Sequence, residues 1–111
     1  MAIKSTVVGT TNTTIYTSTV SGTQVGNAVT CMIICNYGNV AANLTMYAVP
    51  NSGGSVGSVS SANTIISSLN IPVGETVSLD QEKLVLDPND TIVAACDHAT
   101  TLTVTISTLP V

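Results

Sequence analysis

The chain has 111 residues, the size of one domain with a single core, and 44% of them are apolar against 7% charged. Its net charge is −4, with only Lys4 and Lys83 positive. No basic patch is available to neutralise phosphates, which excludes nucleic acid and anionic membrane surfaces as partners.

Apolar content this high argues against disorder. With no Trp, no Phe and abundant Val, Ile and Thr, the composition favours strands, because branched β-carbons fit a pleated surface better than a helix. No apolar run approaches the ~20 residues of a membrane-spanning helix. The start, "MAIKSTVVGT", lacks the apolar core and cleavage site of a secretory signal, so synthesis in a cytoplasm is expected.

In chain order, "IKSTVV" and "TTIYTSTV" read as two strands around residues 9–12. "NAVTCMIICN" (residues 27–36) is apolar on both faces and reads as a central strand covered on both sides. The link that follows carries Asn36, Gly38 and Asn39, which suit the left-handed backbone of a hairpin turn. "NLTMYAVP" then sets Leu44, Met46 and Ala48 against Thr45, Tyr47 and Val49, with Tyr16 and Tyr47 expected to pack and Tyr37 to stand on the turn. The Gly- and Ser-rich residues 51–64 predict a flexible surface loop.

"TIISSLNIP" resumes strand character. Three short strands follow at residues 76–79, 84–86 and 91–96, separated by turns at Asp80–Glu82 and at Asp87–Asn89. The last strand, "TLTVTIS" (residues 101–107), alternates Leu102, Val104 and Ile106 with a Thr-lined opposite face. Eight or nine short strands without helices predict one all-β domain over residues 1–111. The expected architecture is a two-sheet antiparallel β-sandwich, immunoglobulin-like or jelly-roll-like.

Asp87, Asp90, Cys96, Asp97 and His98 crowd into one stretch and invite comparison with a metal or catalytic site. Asp87-Pro88-Asn89-Asp90 has Pro second and Asn third, which is turn chemistry, and it lacks the alternating acids and closing Glu of a calcium loop. Cys96 and His98 are two ligands where a structural zinc needs four. Alternation puts Cys31 and Cys35 on one face, so three thiols buried in a reduced core are expected, and a Cys31–Cys35 disulfide is opposed by the ~13 Å between positions four apart in a strand. One His and no Ser in a strained Gly-flanked elbow leave no machinery for nucleophilic catalysis. Asp80 and Glu82 read as solvated turn charges and Lys4 as an edge-strand lysine, although a lysine there could in principle link to an Asn. Neither a cofactor nor a metal is expected, and the chain is read as a non-enzyme.

Taken together, "TTIYTS", "AVTCMIICNYGNVAANLTMYAVP", "IPVGETVSLDQEKLVLDPNDTIVAAC" and "LTVTIS" resemble a family of small β-sandwich structural proteins of tailed bacteriophages. The likeness lies in the order of the pieces: a "T-x-Y-T" strand, a strand ending "x-C-N", a Thr-rich strand, a "x-x-G-E-T" turn, an "L-x-P-x-D-x-I-x-A" turn and strand, and a closing Thr/Val strand. Asn89 stands where the family usually has Gly.

The resemblance implies a virion protein, either a capsid decoration (cement) protein or a neck, tail or baseplate component. Its partners would be the major capsid protein or other virion proteins, and it would assemble as a homo-oligomer, with a trimer favoured. The contacts expected are Ile3, Lys4 and Val7 near the start, Ser52, Gly53, Gly54, Ser55 and Val56 in the Gly/Ser loop, and Leu109 and Val111 at the end. A host-surface carbohydrate-binding module is the other class in view, opposed by the scarcity of aromatic platforms.

Overall fold

The computed structural model describes residues 2–79 and 84–111. The expected Asp80–Glu82 turn, with Lys83, lies outside the described residues. Nine strands run in order: β1 (Ala2–Val7), β2 (Thr13–Thr17), β3 (Asn27–Asn36), β4 (Ala42–Val49), β5 (Thr64–Ile71), β6 (Thr76–Leu79), β7 (Leu84–Leu86), β8 (Thr91–Cys96) and β9 (Leu102–Pro110), with one 3-10 turn at Ser61–Asn63.

Sheet A has the order β1-β9-β3-β6, with β7 also on β3, and sheet B has the order β2-β8-β4-β5; all the pairings are antiparallel. The chain pairs like one long hairpin, β1 with β9, β2 with β8, β3 with β6 and β7, and β4 with β5. That hairpin is then rolled so that β9 also meets β3 and β8 also meets β4. Every link crosses between sheets except β4–β5 and β6–β7. This wrapped order is that of a jelly roll, and it decides against the immunoglobulin arrangement.

The core is aliphatic. Ile15, Met32, Ile34, Leu44, Met46, Ile71, Ile92, Leu102, Val104 and Ile106 are buried between the sheets, and Tyr16 packs against them from the side. The link after β3 departs from expectation. It is a crossover to sheet B, not a hairpin, and none of Asn36, Gly38 or Asn39 has a left-handed backbone. Asn36 is instead a buried staple: its amide donates to the carbonyls of Val40 and Ile71, each at 2.9 Å, and its Oδ1 accepts from Gly38 N at 3.0 Å.

The Asp87–Asp90 segment is the expected turn. Asp90 N donates to Asp87 O at 3.0 Å, and Asn89 takes φ +68°. A Pro followed by a left-handed residue is the type II pattern, and Asn tolerates it because its short side chain bonds locally. Asn89 Nδ2 donates to Gly54 O at 2.7 Å.

Candidate interaction face

The acidic stretch that drew attention in sequence is pulled apart by β8. Asp90 stands at one end of the sandwich and Asp97 at the other, separated by a six-residue strand that extends roughly 20 Å. Asp90 Oδ1 accepts from the backbone and side chain of Asn51 at 2.7 and 3.1 Å, and Oδ2 accepts from Asp87 N at 2.9 Å. At the far end Asp97 is held by Asn43, and His98 Nδ1 lies 3.1 Å from its Oδ1. The Asn43 N–H, with His98 beside it, holds the Asp97 carboxyl below the usual aspartate range. Among the described residues no three His, Cys, Asp or Glu side chains gather as metal ligands would.

The feature that stands out is the outer face of sheet A. It is created by a bulge in β3. Val29 points into the core, and regular alternation from there would send Cys31, Ile33 and Cys35 inward. Instead residues 30 and 31 together oppose Ser107, so Met32, Ile34 and Asn36 turn inward and Cys31, Ile33 and Cys35 turn out. Thr30 Oγ1 secures the bulge by donating to Ser107 O at 3.1 Å. The expectation of three buried thiols is therefore corrected: Cys96 alone is buried, while Cys31 and Cys35 are half-buried on the outer face. The expectation that β3 is covered on both sides is corrected too, since sheet B covers one face and no other described part of this chain covers the second.

Residues opposed in antiparallel register share a face. Successive rows across the outer face are therefore Val7–Thr103–Cys35–Thr76, Ser5–Thr105–Ile33–Ser78, Ile3–Ser107–Cys31 and Leu109–Ala28–Val85. Ile3 is 74% exposed, Val85 68%, Val7 47%, Leu109 43% and Ile33 40%. Hydroxyls fill the spaces between them, with Ser5 and Thr105 in contact at 3.0 Å. Among the described residues of sheet A none on this face is charged. The described acids Glu75, Asp87, Asp90 and Asp97 all sit in links at the two ends of the sandwich.

The contacts expected from sequence fall in four places. Ile3, Val7 and Leu109 lie on the outer face of sheet A. Lys4, opposite Ile106, is on the inner side of edge strand β1, where its side chain is nonetheless exposed. Ser52, Gly53, Gly54, Ser55 and Val56 belong to the β4–β5 loop at the end that carries the Asp87–Asp90 turn. That loop is built rather than featureless: Ser52 and Ser55 pair through 2.7 and 3.1 Å backbone bonds, and Gly53 and Gly54 supply the two left-handed residues between them. Val111 N donates to Gly26 O at 3.0 Å, and Val25 N donates to Val111 O at 2.8 Å. Ile33, Val85, Cys31 and Cys35 were missed. The two-sided apolar character of "NAVTCMIICN" was the signal that could have found three of them.

Sheet B presents a different outer surface. Asn70, Asn43 and Asp97 form a hydrogen-bonded ladder across β5, β4 and the end of β8. Beside it Thr45, Tyr47 and Ser68 help line a shallow hollow of about 300 Å³. Tyr47, expected to pack, is half-buried at this outer surface. An apolar cavity of about 350 Å³ opens between Met32, Ile65, Ile66, Leu79 and Leu84, and among the described residues no polar side chain lines it to orient a ligand.

No family model matches the chain, and no curated protein matches it. Among solved structures it is similar to a chain in a structure of the Gx strain of infectious bursal disease virus, at 8% identity and a TM-score of 0.39. The match covers 98% of this chain and spans only 29% of that one. Agreement at this level identifies no family.

Proposed function

We propose that this protein is a non-enzymatic structural component of a tailed-phage virion, foremost a capsid decoration (cement) protein that oligomerises on the shell and reinforces contacts between capsid subunits. The observation that carries the reading is the outer face of sheet A. A monomer working alone gains nothing from leaving a sheet face uncharged and studded with Ile3, Ile33 and Val85, whereas a protein whose task is to be covered does. Depleting charge at the centre of a contact also avoids desolvating it. The order of sequence motifs, which resembles that of small phage sandwich proteins, supports the virion context. The end of the sandwich that carries the Ser52–Val56 loop, the start of β1 and Val111 is the proposed contact with the major capsid protein.

Copy number in purified particles, by quantitative mass spectrometry against the major capsid protein, tests this. A ratio near one per capsid subunit, or a simple lattice fraction of it, supports cementing. A handful of copies moves the protein to the neck, tail or baseplate, and absence from particles removes the virion reading.

The hollow beside Tyr47 and the Asn70–Asn43–Asp97 ladder favour one second reading, a host-surface carbohydrate module, since an aromatic flank with amide and carboxylate groups suits sugar hydroxyls. Glycan-array binding that is lost in Tyr47→Ala would bring that reading forward.

A further inference from the structure

Which partner covers the outer face of sheet A can be read from its charge, its hydrogen-bonding chemistry and the state of the sheet edges. We infer that two copies of this chain pair face to face through it. The inference rests on the reading of that face as an interface and names its occupant.

Two identical chains of net charge −4 repel least when they meet where charge is absent. The described acids lie in the end links, and the rows from Val7 to Leu109 hold none. A face must also satisfy its own polar groups when it meets itself. Hydroxyls are suited to this because each both donates and accepts, and Ser5, Thr103, Thr105, Ser107, Thr76 and Ser78 are hydroxyl-bearing residues of this face. A foreign partner would impose no such self-complementarity.

The alternative route, adding strands edge to edge, is obstructed. Lys4 points to the inner side of edge β1, and β2 breaks register between Thr14 and Tyr16. On β5, Ser68 has φ +50° and the pairing with β4 shifts twice; β6 and β7 span only four and three residues. Inward charge, bulges and short strands are ways of preventing edge pairing. The face is what remains.

Four strands at ~4.8 Å spacing and a run such as 103–109 at ~3.3 Å per residue give roughly 450 Å² per copy. A pair then covers about 900 Å² before side-chain relief is included, at the low end for specific contacts. Pairing in solution is therefore weak and concentration-dependent, and a shell that holds many copies close together strengthens it. The symmetric unit is a two-fold pair rather than the three-fold ring that the resemblance implies.

Sedimentation velocity on the isolated chain, from roughly micromolar to millimolar concentration, tests this. The wild type is expected to move from monomer towards dimer, and more readily as salt rises, because the described residues of the face carry no charge to pair across it and salt screens the long-range repulsion. Ile33→Glu places a charge at the centre of the face and Ile3→Glu places one on its edge strand. Each is expected to weaken association at least ten-fold while keeping the wild-type circular dichroism and melting profile. Thr14→Glu, on sheet B, is expected to associate like the wild type.

A wild type that stays monomeric throughout would overturn the inference. So would association that weakens with salt, a trimer, or pairing that survives both sheet A substitutions in folded protein. Failure here leaves the virion reading standing on particle copy number, and absence from particles leaves the pairing standing.

Discussion

Asp97 accepts two hydrogen bonds from Asn43, one from the backbone N–H to Oδ1 at 2.8 Å and one from the side-chain amide to Oδ2 at 3.1 Å. The contact ties the end of β8 to the start of β4 and favours the ionised carboxyl, lowering its pKa, with His98 acting in the same direction. A depressed folded-state value means that the stabilisation is present above the ordinary aspartate range and is lost as pH falls through the depressed value. Asp97→Asn is expected to flatten that part of the acid limb of stability. Carboxyl NMR titration checks the premise, and a midpoint at or above the ordinary aspartate value would refute it.

Asn36→Ala is expected to cost about 2–4 kcal/mol, because it strands the carbonyls of Val40 and Ile71 and the N–H of Gly38 around a buried position. Urea unfolding measures this. A loss under ~1 kcal/mol would mean that water replaces the amide without penalty.

At position 89 the backbone demands a left-handed residue. Asn89→Ala gives up both that tolerance and the bond to Gly54, and is expected to destabilise by about 1–2 kcal/mol. Asn89→Gly keeps the backbone freedom and loses only the side-chain contact, so its cost is smaller. The reverse order of melting temperatures would show that the side chain, not the φ angle, selects Asn here.

Deleting Thr30 is expected to leave a folded protein. The bulge is an extra residue, and without it Val29 and Met32 still face the core, with Cys31 between them facing out. Deleting Ile33, only three positions on, sends Ile34 outward and displaces Asn36. The unburied Ile34 alone costs about 1.5–3 kcal/mol. Thermal unfolding followed by circular dichroism should be cooperative for the first deletion and absent or far lower for the second. Equal damage from both would contradict the assigned register.

Thiol chemistry offers a separate check on the same register. In dilute native protein Cys31 and Cys35 are expected to react with a maleimide, whereas the buried Cys96, whose Sγ donates to His98 O at 3.0 Å, reacts only after unfolding. Labelling sites mapped by mass spectrometry decide this, and modification of Cys96 in the native state would count against the placement of β8.

Strand identity was written locally. The alternation of Leu102, Val104 and Ile106, the Pro88-Asn89 turn and the Gly-rich break after Asn51 are short-range chemistry, and each produces the element expected from it. The two-sheet sandwich was legible for the same reason, since half-buried strands without helices have only each other to pack against.

The candidate face was not legible, because a bulge has no reliable signature in one strand. "AVTCMIIC" is apolar at nearly every position, so nothing in it distinguishes the side turned to Ile92 and Leu44 from the side turned away from the core. Nor could neighbouring letters reveal that Ile3, Val7 and Leu109 share a surface with Ile33 and Val85. The sequence by itself determined which segments are strands and where the chain turns, since those depend on nearest neighbours. Register, strand order and the outward face of sheet A were decided by long-range pairing of β9 with both β1 and β3, because only that pairing brings residues a hundred positions apart into one layer.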